Sequence, residues 1–344
     1  MRVALVAPPF IPVPPREYGG TELFIADLAR GLQALDVEVT VYTNGESTIE
    51  VNKRWLFADS QWPIKDDGYA ELKDMEHTTW AIKNASNGCD IVHINTALGL
   101  TCSRLSPLPF MCTLHHPTDR RLSESYQRMP EVQYVCISND QRKRENLPHL
   151  SMIHHGIDLS KYYLRTEKQH YLSFIGRIAP IKGTHVAIEI AKRAGIPLKI
   201  AGEIQPIFRD YFEAKIRPHI DGKFVEYIGR ADLATKNELL GNSMAMLFPI
   251  QWNEPFGLVM VEAMACGTPV LALRAGSVPE IVKDGVSGYV SRTLDGLVRH
   301  AQDLHISPVE IRRYVEEHFS KERMAREYLA LYTRMVSREL SGTA

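Results

Sequence analysis

The amino-acid sequence predicts an α/β protein of two domains, each built on a parallel sheet that carries helices on both faces. Short apolar runs alternate with amphipathic helical patterns from one end of the chain to the other, as they do in repeated β-α-β units. At 344 residues, the chain exceeds the size at which a single hydrophobic core stops growing. An apolar fraction of 44% is that of a globular protein. We therefore expect two doubly wound domains of ordinary size.

The charge balance argues against binding of nucleic acid. The net charge is -1, with 15 Lys and Arg against 19 Asp and Glu in residues 1–155, and 25 against 22 in the remainder. A surplus this small does not form the strong basic patch that nucleic acid requires. The mildly basic second half does suit an anionic nucleotide.

Two further features bear on where the protein works. The sequence has no run of eighteen apolar residues and starts with a strand pattern instead of a signal segment, so we expect a cytoplasmic location without a transmembrane helix. Peripheral contact with a membrane stays open. The five cysteines are scattered and form no Cys-x-x-Cys pair, so neither a disulfide framework nor a zinc site is expected.

The first domain begins with a β-α-β unit whose connecting loop ends in two glycines. Residues 2–7 are an apolar run typical of a buried strand, and helical spacing begins near Thr21. Gly19 and Gly20 precede that helix, where paired glycines let the backbone approach a ligand closely. The spacing is not Gly-x-Gly-x-x-Gly, so a dinucleotide fingerprint is not supported. From the residues alone, the pair is either a ligand-binding turn or only a turn.

Two histidines follow a later strand of this domain. Residues 110–113 have strand character, and His115 and His116 come shortly after them. Ligands in open parallel sheets bind beyond the carboxyl ends of the strands, so these side chains are well placed for a site. From the residues alone, either histidine, or neither, can face the ligand.

The second domain opens with a strand over residues 171–175 that is followed by two cations. Arg177 and Lys182 flank the turn before the next helix. An arginine fork and a mobile lysine charge together suit a diphosphate. The alternative is that both are solvated surface cations.

The stretch from Trp252 to Val270 contains two carboxylates that need an explanation. Pro255 and Gly267 predict the ends of a helix of about three turns, apolar on almost every face and therefore buried. Glu262 lies inside it, so a protein group or a ligand must donate to its carboxylate. Glu254 precedes the helix, beside amides that suit hydroxyls or anionic groups of a ligand. These amides belong to Phe256, Gly257 and Leu258. The alternative is a helix-terminal charge and an internally paired glutamate.

The spacing Glu-x7-Glu followed by Ala-Met-Ala-Cys-Gly-Thr-Pro-Val resembles the signature of the GT-B retaining glycosyltransferases of family four, the group related to glycogen synthase. Residues 275–282 and 284–290 look like the next two blocks of that family, and similar blocks reach back to residue 19. The resemblance implies two Rossmann-like domains facing a central cleft. It also implies an acceptor-side domain at 1–160, a nucleotide-sugar domain at 161–320 and a terminal helix at 321–344 that packs back on the first domain.

The resemblance also implies roles for the residues that match the family's motifs. Arg177 and Lys182 would hold the diphosphate of the donor, which Gly19 and Gly20 would approach. The sugar hydroxyls would be bound by Glu254 and by the amides of Phe256, Gly257 and Leu258, and the ribose by Glu262. His115 would reach the transferred sugar and the acceptor. His155 stands where the family usually has Asn, so the role of that position stays open.

The activity implied is transfer of a hexose, with retention, from a nucleotide-diphosphate sugar to an acceptor hydroxyl. UDP-glucose is favoured by its prevalence in the family, and no further cofactor is expected. No metal is expected either, because the sequence contains no Asp-x-Asp; Asp66 and Asp67 are adjacent. The alternatives are a sugar-nucleotide epimerase of the same fold and a non-catalytic sugar-binding protein. The sequence does not decode the acceptor, the linkage or the oligomeric state.

Overall fold

The computed structural model describes residues 1–17, 19–62, 64 and 68–342, with side chains up to residue 337 in the last helix. The Asp66–Asp67 pair lies outside these residues. The chain divides into two compact units, Met1–Gly156 with Lys321–Ala344, and Ile157–Ser320. The boundary predicted at residue 160 therefore falls just inside the second unit.

Each unit is built on one parallel sheet. The strands are β1 (Arg2–Val6), β2 (Glu38–Thr43), β3 (Asn52–Trp55), β4 (Ile91–Ile94), β5 (Phe110–Leu114), β6 (Gln133–Cys136), β7 (Leu150–Met152), β8 (Gln169–Ile175), β9 (Leu198–Ala201), β10 (Val225–Gly229), β11 (Ser243–Phe248), β12 (Val270–Leu273) and β13 (Gly288–Ser291). Their order is β3-β2-β1-β4-β5-β6-β7 in the first unit and β10-β9-β8-β11-β12-β13 in the second. The predicted α/β class with two Rossmann-like sheets is confirmed.

Helices connect these strands. They are α1 (Gly20–Gln33), α2 (Tyr69–Ala85), α3 (Arg120–Tyr126), α4 (Asn139–Arg144), α5 (Thr184–Ala194), α6 (Arg209–Lys215), α7 (Leu233–Asn242), α8 (Leu258–Ala265), α9 (Val278–Ile281), α10 (Leu294–Gln302), α11 (Pro308–His318) and α12 (Lys321–Gly342). Short 3-10 turns occur at Leu98–Leu105, Leu159–Lys161, Pro180–Lys182, Pro206–Phe208 and Arg217–His219. No helix among the described residues is both long enough and apolar enough to span a membrane.

The first sheet is buried on both faces. Successive side chains of β1 point to opposite faces, so Val3 and Leu5 join one apolar cluster while Ala4 and Val6 join another. α1 and α12 supply the helical side of the first cluster. Gly31 allows these two helices to approach closely, because a Cβ atom there would collide with the side chain of Ala325.

The strand order places one edge of each sheet where ligands are expected. Each sheet has a central pair of strands, β1–β4 in the first and β8–β11 in the second. From that pair, the strands that follow in the sequence are added towards opposite edges of the sheet. Ligands of open α/β sheets bind beyond the carboxyl ends of the strands at such a switch point. Gly19 follows β1, Asn95 follows β4, Arg177 follows β8 and Glu254 follows β11.

The helix expected from Pro255 starts later than predicted. α8 begins at Leu258 and has eight residues, about two turns. Gly257 has a φ of 80°, which is left-handed and cannot continue an α-helix backwards. Pro255 and Phe256 therefore belong to a turn, and the prediction of a three-turn helix from residue 255 is wrong.

Candidate functional site

Arg177 is held at the carboxyl edge of the second sheet with a hydrogen-bonding atom to spare. Its guanidinium lies 5.6 Å from the centre of the Phe208 ring, and Nη1 donates to Gln205 Oε1 at 3.4 Å. Its Nε is buried and has no hydrogen-bond partner among the described residues. A buried donor without a partner costs about 1–3 kcal/mol, so this N–H is a candidate to bind an anionic ligand.

Lys182 is fixed by a tight turn after β8. Gly183 has a φ of 76°, and a Cβ atom there would collide with the carbonyl oxygen of Pro249. Gln251 N donates to Ile181 O at 2.8 Å, so the loops after β8 and β11 lie against each other. The ammonium of Lys182 is consequently held near residues 249–254.

Glu254 is the partner of that ammonium. Lys182 Nζ donates to Glu254 Oε2, which also accepts from Trp252 Nε1 at 2.9 Å. The lysine nitrogen lies 4.9 Å from the centre of the Trp252 ring. The sequence places Glu254 beside backbone amides. In the structure, Glu254 forms an ion pair with Lys182 and also accepts a hydrogen bond from Trp252.

The loop that carries Glu254 is positioned by residues 275–277. Ser277 N donates to Glu254 O at 3.0 Å, and Ser277 Oγ donates to Phe256 O at 2.9 Å. Gly276 has a φ of 52°, and a Cβ atom there would lie 2.5 Å from both the nitrogen and the oxygen of Glu254. From the sequence, residues 275–282 resemble a block of the family, but no role is predicted for them. The glycine is the signal that its backbone contacts another backbone.

Glu262 is internally paired. The residue is 2% exposed, and its Oε1 accepts from Tyr162 Oη at 2.9 Å and from Lys236 Nζ at 3.0 Å. Lys236 also donates to Oε2 at 3.2 Å. Two protein groups, on Tyr162 and Lys236, thus donate to this carboxylate. The sequence does not predict them, because neither residue belongs to a recognisable motif. A carboxylate accepts about four hydrogen bonds, so capacity for a ligand hydroxyl remains.

A second buried atom without a partner lies near Arg177. Glu203 follows β9, and its Oε1 accepts from Arg230 Nη2 at 2.9 Å. Its Oε2 is buried without a hydrogen-bond partner among the described residues. The same edge of the second sheet therefore offers a spare donor and a spare acceptor.

In the first unit, Gly19 forms a close turn before α1, and Gly20 is the first residue of that helix. Gly19 has a φ of 146°, and a Cβ atom there would lie 2.8 Å from Glu22 Oε2. Glu22 is 5% exposed, and burial raises its pKa to about 7, although its own backbone N–H opposes the shift. A residue larger than glycine at position 19 would displace this carboxyl group.

The structure distinguishes the two adjacent histidines. His116 uses both ring nitrogens within the protein, Nδ1 donating to Pro117 O at 2.8 Å and Nε2 lying 2.6 Å from Tyr126 Oη. His115 Nε2 lies 2.8 Å from Asn95 Oδ1, and Asn95 Nδ2 donates to Val6 O. Because Oδ1 can only accept, His115 Nε2 carries the proton and Nδ1 is left as an acceptor. The geometry therefore favours His115.

Rings packed around His115 keep it neutral. Phe24 lies edge-on at 4.8 Å and His155 stacks at 5.3 Å between ring centres. Burial and the neighbouring His116 lower the pKa of His115 to about 3. His155, whose role the sequence left open, is thus part of the packing of the imidazole, and burial lowers its own pKa well below the usual value.

A buried hydrogen-bond network supports the strands behind this histidine. His93 contacts Tyr332 Oη at 2.7 Å and Thr113 Oγ1 at 2.8 Å, and Thr113 Oγ1 lies 2.9 Å from Tyr328 Oη. Both tyrosines belong to α12. The terminal helix therefore fixes the strand that leads to His115.

A cavity of about 270 Å³ opens beside His115 in the first unit. Its lining residues are Thr21, Asn95, Thr96, Ala97, Cys112, Thr113, Leu114, His115, His116 and Tyr126. Tyr126 comes from α3, and the others come from the start of α1 and from the carboxyl ends of β4 and β5, which is where the strand order predicts a ligand.

Two family profiles match consecutive parts of the chain. "Glycosyltransferase Family 4" matches residues 18–161 and "Glycosyl transferases group 1" matches residues 158–315. The chain belongs to the family-four GT-B glycosyltransferases.

Curated relatives of this family-four chain include enzymes with named substrates. D-inositol 3-phosphate glycosyltransferase of Mycobacterium marinum is 26% identical over 84% of this chain and 64% of its own length. N-acetyl-alpha-D-glucosaminyl L-malate synthase of Bacillus anthracis is 28% identical over 54% of this chain and 50% of its own length. The chain thus spans about half to two thirds of the length of these relatives.

Solved structures share the fold of the family-four chain. AviGT4, a glycosyltransferase involved in avilamycin A biosynthesis, is 24% identical over 98% of both chains, with a TM-score of 0.74. Anabaena HepE in complex with UDP and glucose is 16% identical over 97% of this chain and 100% of its own, with a TM-score of 0.76. The sucrose-phosphate synthase of Thermosynechococcus elongatus, at 18% identity over 98% and 99% of the two chains, has a TM-score of 0.80. At these identities, the likeness shows the fold alone.

Proposed function

We propose that the protein is a retaining glycosyltransferase that moves a hexose from a nucleotide-diphosphate sugar to an acceptor hydroxyl. The observation that carries this proposal is Arg177 Nε, a buried donor at the switch point of the second sheet that has no hydrogen-bond partner in the described part of the chain. Lys182 follows it after the same strand. A fork and a point charge beyond one strand suit a diphosphate.

The donor is proposed to be UDP-glucose. One solved structure of the same fold contains UDP and glucose, which supports this choice without deciding it. In the proposal, Gly19 and Gly20 approach the phosphates, Glu254 and the amides of Phe256, Gly257 and Leu258 bind sugar hydroxyls, and Glu262 accepts from the ribose. His115 Nδ1 accepts a hydroxyl near the reacting carbon.

The proposed chemistry keeps the anomeric configuration without an enzyme nucleophile. A two-step route needs a carboxylate beside the anomeric carbon. Glu254 is engaged by Lys182 and Trp252, which makes it a poor nucleophile. In the proposed step, the bond from the anomeric carbon to the phosphate oxygen breaks while the acceptor oxygen bonds on the same face, and the acceptor proton passes to that phosphate. No metal takes part, and the cytoplasm is the proposed location.

Two other functions compete with this one. A sugar-nucleotide epimerase of the same fold binds the donor but needs no acceptor, and a sugar-binding protein needs no diphosphate clamp. Release of nucleoside diphosphate together with a glycosylated product excludes both.

A thermal-shift screen of UDP, GDP, ADP and their sugars tests the donor site. A ligand at one hundred times its dissociation constant stabilises by about 2.7 kcal/mol. We expect one nucleotide to raise the Tm of the wild type, and its effect to shrink in Arg177→Ala but not in Arg217→Ala, an exposed arginine paired with Glu213. Equal shifts in both variants, or no shift with any nucleotide, would contradict the proposal.

A further inference from the structure

The wall of the cavity beside His115 is a mixture of apolar surface and uncharged polar groups. Among the residues that the structure describes as its lining, the polar groups are hydroxyls, one amide, one thiol and imidazoles, with no lysine, arginine, aspartate or glutamate. The cavity has a volume of about 270 Å³. Pockets for drug-sized ligands begin at about 300 Å³, so this one suits a single sugar-sized ring.

Three side chains of the wall, His115, Cys112 and Tyr126, are held in their neutral forms. The pKa of His115 is lowered to about 3, chiefly by burial. Burial raises the pKa of Cys112 to about 12 and raises that of Tyr126 well above its usual value. These three side chains are therefore uncharged at neutral pH.

An acidic side chain, Asp74, lies immediately behind the wall, and burial raises the pKa of its carboxyl group above the usual value. Thr96 Oγ1 donates to Asp74 Oδ2 at 2.6 Å, so its lone pairs remain for a ligand. Asp74 is 7% exposed, and its carboxylate also accepts from Thr78 at 3.4 Å. The N-terminus of α1, at Thr21, contributes at most about half a positive charge through the helix dipole. The carboxyl group of Glu22 lies in the same helical turn.

We infer that this cavity binds the acceptor and that the acceptor is an uncharged sugar or polyol, not a molecule with a phosphate or carboxylate. The inference rests on the proposed glycosyltransferase function and names its substrate class. Hydroxyls of such a ligand can donate to His115 Nδ1 and Thr96 Oγ1. An anion would be desolvated beside Asp74 without a cationic partner, which is costly.

Matched pairs of acceptors test the inference. With the nucleotide sugar that stabilises the protein, transfer is measured to glucose and glucose 6-phosphate, to methyl glucoside and methyl glucuronide, and to myo-inositol and inositol 3-phosphate. The last compound occurs in the name of the mycobacterial relatives. We expect the kcat/KM for the neutral member of any pair that is used to exceed that of its charged counterpart at least tenfold.

A pair of variants links this preference to Asp74. Asp74→Asn keeps an acceptor for Thr96 but removes the carboxylate, so the ratio of neutral to charged kcat/KM should fall about tenfold, because a nearby unit charge no longer disfavours the anionic acceptor. Glu76→Gln makes the same charge change on an exposed residue of α2 and should leave the ratio unchanged. Unfolding temperatures of both variants check that they fold.

Three results would overturn the inference. The first is a charged member used as well as its neutral counterpart, and the second is equal ratios in Asp74→Asn and Glu76→Gln. The third is binding of the nucleotide sugar without transfer to any neutral member. Failure of every nucleotide sugar to bind would instead remove the proposed function, and the inference with it.

Discussion

Glu22 is a carboxyl group held almost out of solvent in the first turn of α1. Its pKa is raised to about 7 from a usual value of 4.5, chiefly by burial. Between pH 4.5 and about pH 7, Glu22 binds more protons in the folded protein than in the unfolded chain. The free energy of unfolding therefore falls as pH rises, and the whole loss of stability is present above about pH 7. The penalty is about 3 kcal/mol for a shift of this size.

We therefore predict that Glu22→Gln removes a pH-dependent loss of stability. The free energy of unfolding in urea, measured at pH 5 and pH 8, should fall less in the variant than in the wild type. His93 and His115, whose pKa values are lowered to about 3, lose stability towards acid in both proteins, so their effect cancels in the comparison. Glu50→Gln, at an exposed position, is the control. Parallel pH profiles for wild type and Glu22→Gln would show that the carboxyl group is not buried.

Lys182 is the residue on which the proposed leaving-group stabilisation depends most. Lys182→Ala should lower kcat about a hundredfold, as loss of one oriented charge-stabilising donor does in other enzymes. Lys192→Ala makes the same change on the exposed side of α5 and should have no effect. The measurement is the rate of nucleoside diphosphate release. A near-normal Lys182→Ala would assign the diphosphate to other residues.

The helix α8 and the loop before it divide the proposed binding of the donor. Glu262 on α8 is assigned to the ribose and Glu254 in the loop to the sugar. Glu262→Gln should weaken binding of nucleoside diphosphate and nucleotide sugar alike, whereas Glu254→Gln should weaken only the nucleotide sugar, as measured by titration calorimetry.

Glu262 also has a structural role that must be separated from this one. Its bonds from Tyr162 and Lys236 join α8 to neighbouring segments, and a hydrogen bond to a charged group contributes about 1.5–3 kcal/mol. Glu262→Gln should therefore lower stability as well. Lower stability with unchanged nucleoside diphosphate affinity would leave only the structural role.

The elements show what a single sequence can and cannot predict. Apolar runs and helical spacing are local, so β1, α1 and β8 were predictable. The start of α8 was not, because the φ of 80° at Gly257 follows from the packing of its loop against residues 275–277 and not from the propensity of Pro255.

Site residues divide in the same way. Arg177, Lys182, Glu254 and His115 carry motifs at strand ends and could be named from the sequence. Lys236 is 26 residues from Glu262, and the hydrogen bond that orients His115 is accepted by Asn95, which follows a different strand. Such partners are set by topology, which pattern alone does not specify.

For the whole molecule, the account predicts catalysis without a divalent metal. Enzymes that hold a diphosphate through Mg²⁺ or Mn²⁺ place carboxylates on the ion, and here the charge is assigned to fixed donors. Turnover should persist in excess EDTA after dialysis. Loss of activity in EDTA with recovery in Mn²⁺ would show that a metal holds the diphosphate.

Retaining transfer from a nucleotide sugar has a direct readout, the anomeric configuration of the first-formed product. The protein is incubated with UDP-α-glucose and the neutral acceptors, and the reaction is followed by proton NMR from its first turnovers. We predict that UDP and an α-linked glucoside form at equal rates. A β-linked product, or consumption of the donor without any glycosylated acceptor, would contradict it.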